Sequence, residues 1–137
     1  MVKELMHDPL FLAKQSEKAT KADLPVAQDL LDTLAAHEDE CVGMAANMIG
    51  VLKRILVYHI DGSYNVMFNP EITQKMMAYD TEESCLSLLG GPRPCQRYNA
   101  IKVRYENSNF EVCEGVFTGF EAQIIQHEVD HFDGVLI

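Results

Sequence analysis

Residues 118–134, TGFEAQIIQHEVDHFDG, decide how the rest of the chain is to be read. Thr118 followed by Glu121 has the pattern of a capping box, in which a hydroxyl and a carboxylate each satisfy a backbone N–H left unpaired at a helix start. Ala122, Ile124, Ile125, Val129 and the residues between them then sustain a helix with no proline. Gly134 supplies the residue that most easily takes the left-handed conformation closing it. His127 and His131 lie four apart, so both imidazoles leave one helix face about one turn from each other, close enough to share a metal ion. Glu128 stands between them, where a carboxylate can take a proton from water activated by such an ion. The alternative for H-E-x-x-H is a solvated helix with two unrelated histidines. Asp130 is a candidate partner for the second N–H of a ligating histidine, and equally an ordinary exposed acid.

Two histidines do not complete a catalytic site, which wants three protein ligands and a position open to water. Downstream of His131 only Asp133 is a conceivable ligand, so the third is expected upstream. That disfavours metalloprotease arrangements, whose third ligand follows the helix. The best candidate is Cys85, in the turn-rich stretch Glu82-Glu83-Ser84-Cys85-Leu86-Ser87, where a thiolate would bind a divalent metal strongly.

Three motifs in this order resemble those of the peptide deformylases, metalloenzymes that remove the N-formyl group from new bacterial proteins. Q-H-E-x-D-H is matched by Gln126, His127, Glu128, Asp130 and His131, and E-G-C-L-S by Glu83, Cys85, Leu86 and Ser87, with Ser84 in place of glycine. G-x-G-x-A-A-x-Q is met in part by residues 41–48, where Cys41 replaces the first glycine and Met48 the glutamine. The resemblance implies that Cys85, His127 and His131 hold one divalent ion, Fe(II) natively, with zinc, nickel or cobalt able to replace it. It further implies that Glu128 is the general base and that the Leu86 backbone N–H supports the oxyanion. Val42, Gly43 and Ser84 would flank the substrate, an N-formylmethionyl peptide or nascent chain. Met48 falls where the family has a second oxyanion donor, and a thioether donates nothing. The expected function is therefore metal-dependent deformylation, with reduced activity. Alternatives are a weakly active or inactive relative that binds metal and peptide, and an amidase for another N-acyl group.

At 137 residues the chain suits one domain, 1–137. Its net charge of −10, from 21 acidic and 11 basic residues, argues against direct binding to nucleic acid, because attraction to phosphate is missing. The sequence has no apolar run long enough for a membrane span and no secretory leader pattern, so the cytoplasm is the expected location. Monomer and dimer are both compatible with it. Cys41, Cys85, Cys95 and Cys113 lack paired metal-ligand spacing and are expected to be reduced, with Cys95 and Cys113 as small packing residues.

Upstream, an apolar N-terminal segment is followed by a helix over about 23–37, with Asp23 as cap and Pro25 in its first turn. The acidic run 38–40 leads into the small residues Gly43, Ala45 and Ala46, which suit either tight packing or close approach to a ligand. Strands are predicted over 54–60 and 64–69, joined by Asp61-Gly62-Ser63, with Pro70 ending the second. Another runs over 71–79. Residues 88–94 are the most loop-like in the chain, and 100–106 and 110–117 form a hairpin feeding the metal helix. Strands gathered between an early and a late helix indicate α+β, with antiparallel strands packed around a C-terminal helix carrying H-E-x-x-H. His7, His37 and His59 have no predicted functional role.

Overall fold

A computed structural model describes residues 1–88 and 90–137. Five antiparallel strands follow one another in a meander, β1 (Gly43–Ala45), β2 (Ile55–Ile60), β3 (Ser63–Glu83), β4 (Arg93–Glu106) and β5 (Val112–Thr118). Helices α1 (Pro9–Leu12) and α2 (Leu24–Ala36) precede the sheet, and α3 (Gly119–Phe132) follows it.

β2 is buried on both faces, and its alternation divides the core. Ile55 and Val57 pack with Leu30 and Leu34 of α2, whereas Leu56 and Tyr58 pack with Ala122, Ile125 and Phe132 of α3. The sheet is thus sandwiched between two helices, each burying one apolar stripe. β1 repeats the division at the sheet edge, with Met44 in the α2 core and Ala45 in the α3 core. Ala45 and Ala46 are fully buried, so tight packing explains them and the approach to the cleft falls to Gly43.

Several sequence expectations are corrected. Pro70 does not end a strand: β3 runs through it. One extra residue enters between Phe68 and Glu71, with Asn69 at φ 51°, and a second between Ile72 and Gln74. Bulges of this kind bend a strand without breaking the ladder. The Asn69 amide so displaced bonds both the N–H and the carbonyl of Ala19, at 2.7 and 3.0 Å, tying the N-terminal arm to the sheet. Pro94 lies inside β4, opposite Glu82, so the connection between the long strands is 84–92; Leu89, part of the expected loop, lies outside the described residues. Thr118 occupies the N-cap of α3, but its side chain makes no capping bond, and Glu121 accepts the Tyr58 hydroxyl at 2.8 Å instead. The tight hairpin at Asp61-Gly62 is as expected, with both residues at positive φ.

Gly134 closes α3 in a Schellman arrangement. Its N–H donates to His131 and that of Val135 to Asp130. At φ 75°, a Cβ here would also run into the Ala13 backbone. Gly134→Ala is expected to lower unfolding free energy by more than about 1 kcal/mol. Urea denaturation with an unchanged midpoint would show that this contact yields readily.

Candidate active site

β3 delivers Glu83 at its end, the following turn delivers Cys85, and α3 delivers His127, Glu128 and His131. The turn is closed by the Leu88 N–H on the Cys85 carbonyl at 3.0 Å. α3 is registered on β4 by the Gln126 amide, which accepts the Tyr98 N–H at 2.8 Å and donates to the Tyr98 carbonyl at 2.7 Å. With both elements pinned, one ligand atom each from Cys85, His127 and His131 lies within 4.8 Å of the others. The site opens to a cleft of about 240 Å³, bordered by Val42, Gly43, Met48, Ser84, Leu86 and Glu128 among others.

His127 is oriented from behind by Glu83, 2.7 Å from its Nδ1, while its ring also meets the Cys85 sulfur. Glu83 is itself held by Arg97, through Nε at 3.0 Å and Nη2 at 2.7 Å, and by the Gln123 amide at 2.8 Å. Burial opposes its charge, but the bonds from His127, Arg97 and Gln123 prevail and hold its carboxyl down to about 2. Among the described residues the Asp130 carboxylate makes no hydrogen bond to a histidine. It pairs with Arg97 Nη1 at 2.7 Å, so the supporting role expected of it belongs to Glu83, with Asp130 one link further out.

Burial would lower His127, but the Glu128 carboxylate, with Cys85 and Glu83, raises it to about 10. Burial pushes Glu128 up to about 7, and burial next to His127 drives His131 down to about 3. A cation would replace the proton on His127, since ligating nitrogen must be neutral. The donor set fits one: thiolate with two imidazoles suits zinc, iron and related ions. A second observation agrees. His131 Nε2 and Glu128 Oε1 are buried, 3.7 Å apart, and have no hydrogen-bond partner among the described residues, a state that costs free energy unless something else satisfies them.

Residues 4–137 match the family model for polypeptide deformylase. The chain belongs to that family. It is 53% identical to the peptide deformylase of Clostridium beijerinckii over the full length of both chains. It is 40% identical to peptide deformylase 1 of Clostridium perfringens, over 81% of this chain and 76% of the other. The crystal structure of the Thermotoga maritima deformylase superposes with a TM-score of 0.88 at 28% identity, covering 99% of this chain and 95% of that one. The Acinetobacter baumannii deformylase bound to Met-Ala-Ser gives the same TM-score and identity over 99% and 97%. This deformylase is accordingly a hydrolase that acts on formylated peptides.

Arg97 and Gln123 escaped the sequence reading, because nothing local distinguishes them. In the β3–β4 ladder Glu83 lies opposite Arg93 and Arg97 opposite Tyr79, so the guanidinium reaches Glu83 along the strand and not from the facing position. Phe120, 56% exposed on the cleft wall, was missed too. Asn47, beside the anomalous Met48, points away from the cleft and donates to the His131 carbonyl at 3.2 Å. Its amide nitrogen is thus committed outside the cleft.

Proposed function

We propose that Cys85, His127 and His131 hold one divalent cation and that Glu128 is the general base for hydrolysis of the formamide of N-formylmethionyl peptides, including nascent chains, in the cytoplasm. The supporting observation is the convergence of three ligand atoms within 4.8 Å beside a buried, unpartnered Glu128 oxygen. Fe(II) is the native ion in this proposal, and the same donors accept zinc, nickel or cobalt. Bound there, the ion would acidify water and polarise the formyl oxygen.

Glu128 takes a proton from the water whose oxygen bonds to the formyl carbon. It returns that proton to the amine nitrogen as the carbon–nitrogen bond breaks, releasing formate. A carboxyl raised to about 7 is suited to both transfers near neutral pH. The Leu86 N–H donates to the oxygen that gains charge, while Met48, lining the same cleft, contributes no donor. Val42, Gly43 and Ser84 flank the substrate backbone. Gly43 has a second task, because a Cβ there would come within 2.8 Å of Ile124 and 3.0 Å of the Glu128 carboxylate. The peptide in the Acinetobacter relative, which begins with methionine, supports the substrate class.

The test is formate release from a formyl-Met peptide by iron-loaded protein kept free of oxygen. Elemental analysis should accompany it. One ion per chain is expected in the parent, and loss of the ion in Cys85→Ser, His127→Ala and His131→Ala. Full occupancy in all three variants would refute the ligand assignment. The second reading, a relative that binds metal and peptide with little turnover, rests on Met48 and would be preferred if metal is bound but no formate appears.

A further inference from the structure

The segment leading from α2 into β1 borders the cleft with Glu40, Cys41 and Val42. The Glu40 and Cys41 N–H groups both donate to the His37 carbonyl at 2.9 Å, bonds that fix the shape of this turn but not its place against the sheet. Its place is set from β2. The β1–β2 ladder ends at Gly43 opposite Tyr58. Beyond it the His59 N–H donates to the Val42 carbonyl at 2.9 Å, and His59 Nε2 lies 2.9 Å from the Cys41 carbonyl. A carbonyl only accepts, so Nε2 carries the proton and donates. The imidazole is held for that bond by Tyr64, which stands opposite His59 in the β2–β3 ladder with ring centres 5.3 Å apart. The Tyr64 hydroxyl donates to Glu38 at 2.7 Å. One cross-strand pair therefore ties the segment at both ends, at Glu38 and at Cys41.

We propose that His59, braced by Tyr64, is a positioning residue for the substrate: it sets the line of the Cys41 and Val42 backbone along the cleft, and through it the affinity for the peptide. The proposal rests on the reading above, in which Val42 and Gly43 flank the substrate backbone. β1 is an edge strand, so a peptide laid along this rim draws affinity from backbone groups whose spacing must be kept. Among the described residues His59 makes no hydrogen bond to Cys85, His127, Glu128 or His131. Its effect thus belongs to binding and not to the chemical step, and loss of its side chain should raise KM and spare kcat.

Met-Ala-Ser, the peptide bound in the Acinetobacter relative, probes binding without turnover. In calorimetry on the zinc-loaded protein, His59→Leu is expected to bind it about 3- to 10-fold more weakly than the parent, the worth of one hydrogen bond. His59→Gln, whose amide can donate to the same carbonyl, should restore most of the loss. Formate release from a formyl-Met peptide should show the same factor in KM. Amide hydrogen exchange should quicken in residues 40–43 of His59→Leu and stay unchanged in α3. Equal affinity in parent and His59→Leu, a loss that His59→Gln does not repair, or a fall in kcat at constant KM would each overturn the role of His59. A parent that binds Met-Ala-Ser but releases no formate would sink the proposed activity and leave this inference standing; a parent that does not bind the peptide would sink both.

Discussion

Glu128→Gln is expected to keep its cation and to lose about 10²- to 10⁴-fold in formate release, the usual contribution of a positioned acid–base group. The change is nearly isosteric, so the close fit of this side chain against Gly43 survives. What disappears is the ability to accept a proton. Glutamine cannot pick up the proton of the attacking water, nor return it to the departing amine. Burial, which raises Glu128 to about 7, would match it to both halves of the proposed cycle. Metal content should stay at one ion per chain, since Glu128 lies outside the Cys85, His127 and His131 set. Equal rates for parent and variant, with metal bound in both, would remove Glu128 from the mechanism.

Met48→Gln is expected to raise formate release by up to about 10²- to 10³-fold, the size of the effect when one oxyanion donor is restored or removed. The side chains are similar in length, and residue 48 already faces the cleft beside Cys85. An amide there must find partners, because a buried one left unsatisfied costs about 1–3 kcal/mol. The substrate oxygen is one such partner, so the gain should appear in kcat. Cys41 is the other departure from the motif. Its thiol donates to the Gly43 carbonyl at 2.8 Å, and burial pushes it up to about 12, so it stands as a neutral side chain where the family has none. Cys41→Gly combined with Met48→Gln therefore belongs in the same measurement. If neither variant gains activity while metal remains bound, oxyanion support is not what limits this chain, and the binding-protein reading gains.

The helix carrying H-E-x-x-H was legible because its information is local. Spacing on one helix places His127, Glu128 and His131 together whatever surrounds them, and Gly134 closes the helix as its backbone freedom foretells. Cys85 was reachable by asking what could stand beside the two histidines, and the fold brings its ligand atom within 4.8 Å of theirs. The bracing behind His127 was not legible, since Glu83, Arg97 and Asp130 meet only through the register of β3 on β4 and the seating of α3. Pro70 was misjudged because proline usually ends a strand, whereas a bulge at Asn69 excuses it from the ladder. Glu121 was assigned to a cap by its distance from Thr118, but the Tyr58 hydroxyl, 63 residues earlier, takes it.

The N-terminal arm joins the two ends of the molecule. Ser16 donates its N–H to Phe132 at the close of α3, and Met6 donates to the Met48 carbonyl beneath the cleft, both at 2.7 Å. Loops this long are costly to close, and contacts across them form late, once the sheet that separates them in sequence has assembled. The hairpins of the meander close shorter loops than the arm does, so the arm is expected to fasten after them. Until it does, the carboxyl end of α3 is held by the Asn47 amide on the His131 carbonyl and by Phe132 in the core, and lacks the further tie from Ser16. A cation held by Cys85, His127 and His131 would accordingly favour the finished fold, in which their ligand atoms lie within 4.8 Å of one another.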